Sequence, residues 1–381
     1  MSGVPAQEYF SDGITDDLIT DLSRIPGLFV IARSSAFSYK GKSPRVQDVG
    51  RDLGVRYILE GSVRRTGNEV RITAALADAE SGVELWAESY DRPLRDIFSM
   101  QDQIVQRILS TLRLRLTLLQ RGFPTEVPHE TENMKAYDYF LQAATPYYSG
   151  TKQGMATARE MDEKAIALDP KYSYAYAQMG FTYTADLING WNTDPEDLQR
   201  ASESAKKAIA LDGNDAWGYY LLSQIDMIEH HYSDAITDAQ KGIPLDPSDP
   251  WGYQRLADPL IQTGRLNDAL QSLKHAVRLD PNGADVFRGT MALTYTLLGR
   301  FDDAISAGKL HLAKYPNSWW VHLLLVVAYT ELGDATQASA EAAEVMLLQP
   351  NFSLKQIKPF PWQRQTEFER GIIDMRKAGL K

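Results

Sequence analysis

Three groupings in this 381-residue chain have residue types and spacing that chemistry uses. The stretch Ala36-Phe37-Ser38-Tyr39-Lys40-Gly41-Lys42-Ser43 fits a relaxed phosphate-binding loop, between an apolar run and a short helical pattern. Its middle holds Phe37 and Tyr39, Ala36 stands at the first glycine, and Pro44 removes an amide that would face a phosphate. We read it as a capped loop. Asp12, Asp16, Asp17 and Asp21 crowd one helical stretch, with Asp12 and Asp16 on a common face. A cation site is one reading; a solvated face, favoured by the helix dipole, is the simpler one. The six histidines (His129, His230, His231, His275, His311, His322) show no helix-ligand spacing with acids, and His230-His231 fall in a turn. No nucleophile elbow, serine–histidine pair or dinucleotide glycine fingerprint appears, and cysteine is absent. No catalytic residue, cofactor or metal is therefore expected.

Composition narrows the rest. Hydrophobic residues make up 44% and charged residues 24%, an ordinary globular balance. The net charge of −10 argues against nonspecific nucleic-acid binding, which needs a basic face. The most apolar stretch, Trp319 to Tyr329, is too short to span a bilayer, so no membrane insertion is expected. No secretory signal is visible; the chain as translated reads as cytoplasmic, or periplasmic if a membrane helix precedes it in a longer protein.

The elements that would position any site come from a repeat. Leu-Asp-Pro recurs at 168–170, 245–247 and 279–281, with Leu211-Asp212-Gly213, Tyr315-Pro316 and Gln349-Pro350 in the same role. From Gly213 onward the steps are 34, 34, 35 and 34 residues, the period of stacked helix–turn–helix units. In a 34-residue frame, position 15 holds Gly264, Gly299 and Gly333, where a helix must end with positive φ. Position 20 holds Ala235, Ala269, Ala304 and Ala338, where two helices cross closely. Position 7 holds Leu222, Leu256, Met291 and Leu325; position 17 holds Tyr232, Leu266, Phe301 and Ala335. These columns resemble the tetratricopeptide repeat. Two earlier units, Ala136 to Pro170 and Ser173 to Gly213, make about six over 133–350, and 351–381 is expected to cap the last. The second unit carries a turn-rich insertion around residues 188–195.

Such a solenoid lines its concave face with positions 2, 5, 9 and 12 of each first helix. The candidate partner-binding residues are Tyr174, Phe181, Trp217, Tyr220, Gln224, Trp251, Gln254, Asp258, Trp320 and Leu323. The set contains no lysine or arginine, unlike a carboxylate clamp, and suits a protein or peptide ligand with an apolar or aromatic segment. Two readings stay open here: the tryptophans bind a partner, or they pack against the chain itself.

Residues 1–121 have another rhythm. Phe10 to Ile25 reads as a helix, Leu28 to Ala32 as a buried strand, and Ser43-Pro44 as the start of a helix reaching about Leu53. Val55–Arg65 and Glu69–Ala79 alternate as strands around Gly67-Asn68, and Val83–Tyr90 follows as a third. A helix over about Leu94 to Leu119 leads to a linker at 122–132. The fold class is thus a small α+β domain, helix-strand-helix plus a three-stranded meander, before an all-α solenoid.

Tyr9-Phe10-Ser11-Asp12-Gly13-Ile14, Arg24-Ile25-Pro26-Gly27-Leu28, Ser38-Tyr39-Lys40-Gly41-Lys42, Leu53-Gly54-Val55-Arg56-Tyr57 and Leu59-Glu60-Gly61-Ser62-Val63-Arg64 resemble the TolB-like N-terminal domain. That resemblance implies a bacterial signalling protein whose output domain is a class III adenylate/guanylate cyclase or a winged-helix regulator. It implies a first strand that this chain lacks, hence a free sheet edge through which copies self-associate. The function expected is noncatalytic protein binding and signal relay. The alternatives are the regulatory half of a cyclase and the sensory half of a winged-helix regulator.

Overall fold

The computed structural model describes residues 8–25, 28–112, 131–192, 194, 196–360 and 365–381. They form two compact units: Met1–Ile225 with Lys241–Ser248, and Asp226–Gln240 with Asp249–Lys381. Among the described residues, no helix is long and apolar enough to cross a membrane.

The first unit begins with α1 (Glu8–Ser23), α2 (Arg33–Phe37) and α3 (Val46–Leu53), then β1 (Tyr57–Thr66), β2 (Glu69–Asp78) and β3 (Val83–Pro93). The strands form an antiparallel meander in the order β1-β2-β3. Thr66 pairs with Glu69 across Gly67-Asn68, where Gly67 has φ +61, so the hairpin falls where its turn residues put it. On β2, alternate residues Val70, Ile72, Ala74 and Leu76 are buried. They meet Phe10, Ile14, Leu18 and Leu22 of α1, and Met100, Ile104 and Ile108 of α4 (Ile97–Thr111). The spacing of four residues within each helix makes the apolar stripe that closes this core.

Two expectations need correction. Leu28–Ala32 carries no sheet pairing; it is an irregular stretch that leaves Phe29 exposed and leads into α2. Its apolarity serves contacts of Leu28 and Val30 with the core, and burial without a ladder produces the same short apolar run as a strand. The helix α3 starts at Val46 after Arg45, two residues beyond Pro44. The predicted helix to Leu119 is described as far as Leu112, and its remainder and the linker from 122 to 130 lie outside the described residues.

Among the described residues, twelve helices follow in six pairs: α5 (Met134–Tyr148) with α6 (Lys152–Leu168), α7 (Ser173–Ile188) with α8 (Glu196–Leu211), and α9 (Ala216–Ile228) with α10 (Tyr232–Gly242). The others are α11 (Pro250–Gln262) with α12 (Leu266–Leu279), α13 (Asp285–Leu297) with α14 (Phe301–Lys314), and α15 (Trp319–Glu331) with α16 (Ala335–Leu348). The final helix, α17 (Gln365–Lys377), packs on α15, covering the last repeat as a cap must.

The repeat markers have physical causes. Three of the Leu-Asp markers end a helix, Leu245-Asp246 follows a turn after Gly242, and each carboxylate accepts an amide of the next turn. The distances are Asp169 to Lys171 N 3.0 Å, Asp212 to Asn214 N 2.9 Å, Asp246 to Ser248 N 3.3 Å and Asp280 to Gly283 N 3.1 Å. Ala235, Ala269, Ala304 and Ala338 are at most 1% exposed, so any larger side chain would force the paired helices apart. Ala335 differs from its column-mates and is exposed. Gly264, Gly299 and Gly333 have φ of +75, +69 and +79. The equivalent turn of the third repeat is His230, at φ +63, which the composition of that column did not suggest.

Candidate functional site

In the first unit, the candidate residues come from the inner helices α7 and α9. Trp217 sits among Tyr147, Tyr174 and Phe181, with ring centroids 6.1, 6.1 and 6.0 Å away. Tyr174, Phe181, Tyr220 and Gln224 are all under 9% exposed. Tyr220 donates its hydroxyl to the Asp246 carbonyl (3.2 Å), and Tyr174 accepts from the Arg24 guanidinium (2.9 Å). These residues, expected on an open groove, are packed into the wall by their own chain. Trp217 remains partly exposed.

Part of this wall, at Tyr174, is met by Arg24 just beyond α1, which itself packs on α5. Tyr137 and Leu141 of α5 belong to the same core as Phe10 and Ile14. At the end of α1, Ser23 donates to the Asp246 carboxylate (3.3 Å), and just beyond it Arg24 donates to the Leu245 carbonyl (3.1 Å). The acidic stretch of α1 is therefore no solvated face. Asp17 accepts from Tyr137 and from Gln101 of α4 (3.0 Å). Asp12 pairs with Lys40 (2.7 Å) and Asp16 with Arg33 (3.3 Å). Burial pushes the carboxyl of Asp21 up to about 7, against the opposing charge of Arg24. The sequence pattern showed four acids near a helix N-terminus; only long-range packing shows what they face.

The phosphate-loop candidate has its backbone committed elsewhere. Residues 33–37 are helical, and amides of Ala36, Ser38, Tyr39, Lys40 and Lys42 donate to carbonyls three or four residues back. Phe37 lies under the Arg33 guanidinium, 4.2 Å from its ring centroid.

In the second unit the inner helices are α11, α13 and α15. Trp251 is 45% exposed and touches Phe287 edge-on, with centroids 5.3 Å apart. It stands at the first turn of α11, whose start is fixed by Pro250 and by Asp249 accepting the Trp251 amide. Gln254 lies one turn on and is buried; its amide nitrogen donates to Asp258 (2.6 Å) and to Thr290 of α13 (3.1 Å). Burial raises the Asp258 carboxyl to about 6, with Arg255 and the Gln254 donor opposing. Trp320 is partly buried, 5.6 Å from His311, and Gly289 lies beneath it: a Cβ there would meet the indole at 2.7 Å. Leu323 is buried in the terminal cluster with Val326, Met375 and Leu380.

Two other groupings carry charge. Asp226, Glu229 and His231 bring one ligand atom each within 4.8 Å of one another, a set the helix-spacing criterion overlooked because it spans a turn. Glu229 and His231 are exposed to solvent there. Between α15 and α17, a depression lined by Glu331, Arg370, Asp374 and Lys377 has its charges paired, Arg370 with Glu331 and Lys377 with Asp374 (2.9 Å).

Comparison with known proteins agrees with this architecture. Residues 252–282 match the tetratricopeptide repeat family model. A Rhizobium meliloti (strain 1021) protein named "Putative adenylate cyclase 3" is 42% identical over 241 residues, covering 60% of this chain and 40% of that protein. Among solved structures, the hetero-tetramer Cut9-Hcn1 aligns at 17% identity and TM-score 0.49, over 75% of this chain and 52% of that one. The Pseudomonas aeruginosa pilF structure aligns at 16% identity and TM-score 0.47, over 57% of this chain and 93% of its own. Residues 252–282 are thus a tetratricopeptide repeat, set among the paired helices that follow the small α+β domain.

Proposed function

We propose that this chain is a noncatalytic protein-interaction and signal-relay module that captures an apolar or aromatic segment of another protein. The observation that carries this reading is Trp251, a large anchor left 45% exposed on an inner helix beside polar groups already held in place. In the same unit Trp320 is partly buried and Leu323 is packed into the terminal cluster, whereas Tyr174, Phe181, Tyr220 and Gln224 brace the first unit. The test is capture by the purified chain and by its Trp251→Ala variant. Loss of capture by a variant that still melts cooperatively supports the reading; capture insensitive to the substitution removes it.

A second reading concerns the output. The relative named for adenylate cyclase and the TolB-like motifs both support a role as the regulatory half of such an enzyme, with the cyclase core lying outside this sequence. Adding the purified chain to the separately expressed cyclase portion of the relative should change its cyclic nucleotide production. Turnover of ATP by this chain alone would overturn the noncatalytic reading. The α+β domain adds a route to self-association: β1 and β3 each pair on one side only among the described residues. Sedimentation of the full chain measures it.

A further inference from the structure

A stretch of the chain's own tail already lies on the second unit. After a single 3₁₀ turn (Leu354–Gln356), residues 357–360 carry no regular structure. Ile357 and Phe360 are partly buried, whereas Lys358 and Pro359 between them are exposed. Ile357 packs on the terminal cluster that includes Leu323 and Val326 of α15. Phe360 packs on a different cluster, to which α11 gives Ile261, α12 gives Leu273 and α13 gives Phe287.

The backbone accounts for that spacing. Ile357 has φ −77 and ψ 133, the polyproline II region, and Pro359 biases Lys358 to the same extended conformation. A polyproline II helix has three residues per turn, so side chains three apart project to one side. Ile357 and Phe360 are three apart and both find apolar cover; the two residues between them meet solvent. A proline-stiffened segment loses little entropy on docking, which is how extended peptides seat on aromatic grooves. By repeat position the face concerned is the inner one. Ile261 stands at position 12 of α11, Val286 and Leu293 at positions 2 and 9 of α13, and all three belong to or pack on the cluster that takes Phe360. Trp251 meets that cluster through the ring of Phe287.

The tail is held at its root by other contacts. Leu354 is buried and its amide donates to the Lys381 carbonyl (2.9 Å), while α17 packs on α15. Lifting residues 358–360 therefore leaves these holds on the last repeat in place.

We propose that Ile357-Lys358-Pro359-Phe360 is a built-in ligand shielding the inner face of the second unit, displaced by a partner that brings an extended apolar-x-Pro-aromatic segment of its own. This rests on the interaction reading above and adds its regulation and the sequence class of the partner. Trp251, open beside the shielded cluster, is where the incoming segment lands.

The probe is a labelled peptide of the chain's own residues 353–360, Ser-Leu-Lys-Gln-Ile-Lys-Pro-Phe, titrated against full-length wild type and Phe360→Ala. Apparent affinity scales with the fraction of chains whose site is free, so the variant should bind about tenfold tighter. Pro359→Gly, at an exposed position that does not threaten the fold, should move binding the same way by about threefold, because it loosens the free tail. A peptide ending in alanine should bind none of the three chains. Equal binding by wild type and both variants, binding of the alanine peptide as tight as the parent, or no binding by any chain overturns the inference. The interaction reading then stands or falls separately, on capture by Trp251→Ala.

Discussion

Trp217 and Trp251 occupy the same position of successive repeats and meet different fates. Trp217 is surrounded by Tyr147, Tyr174 and Phe181, and its neighbours Tyr220 and Gln224 are buried. Trp251 meets the ring of Phe287 edge-on and shows nearly half its surface to solvent. The position in the repeat sets which face an indole occupies. Whether it becomes mortar or a binding anchor depends on side chains contributed by other elements.

The comparison can be broken most directly by Trp217→Ala. Removing a packed indole should destabilise the first unit by about 3 kcal/mol, read as a lower denaturant midpoint. A loss below about 1 kcal/mol would erase the distinction. Next comes Asp21→Asn, which probes how α1 is held. An acid whose folded pKa is raised to about 7 is protonated more in the folded state, so stability should fall as pH rises from about 4 to about 7. The asparagine variant should flatten part of that slope and gain about 1–2 kcal/mol above pH 7. Melting curves across that range decide it. His322, whose pKa is raised chiefly by its hydrogen bond with Glu341 (2.5 Å), acts in the same direction. Its contribution is complete below about 6.5 and is lost as pH passes its higher folded value, so His322→Gln should remove that part.

Two smaller effects sharpen the contrast. Trp251→Ala should cost less than Trp217→Ala, about 1–2 kcal/mol, because nearly half of its ring is open to solvent. Its larger consequence should appear in ligand capture. His230→Gly, which relieves a side chain held at positive φ, should stabilise by about 0.5 kcal/mol.

The repeat architecture was legible because it is local and periodic. Glycines at the turns, alanines at the crossings and Leu-Asp-Pro closures each answer to backbone geometry that repeats every 34 residues. The hairpin at Gly67-Asn68 was legible for the same reason. What escaped were features set by contacts distant in sequence. The acids of α1 read as a solvent face because partners such as Gln101 and Tyr137 lie 84 and 120 residues away from Asp17. His230 escaped because a histidine carries no left-handed signature of its own. Leu28–Ala32 escaped because an apolar run specifies burial without specifying a ladder. Half of the candidate site was legible as a face, and which half remains open was decided by Arg24 and by neighbouring rings.

The sharing of one core by α1, α4, the sheet and α5 has a practical corollary for anyone dissecting the molecule. A fragment cut at the proline-rich stretch before Thr131 would look clean on paper, yet it would strip Tyr137 and Leu141 of their cover. The liberated repeats would then carry a sticky greasy flank, and recombinant material prepared that way should precipitate or scavenge chaperones. Any ligand fished out with it would report on that wound.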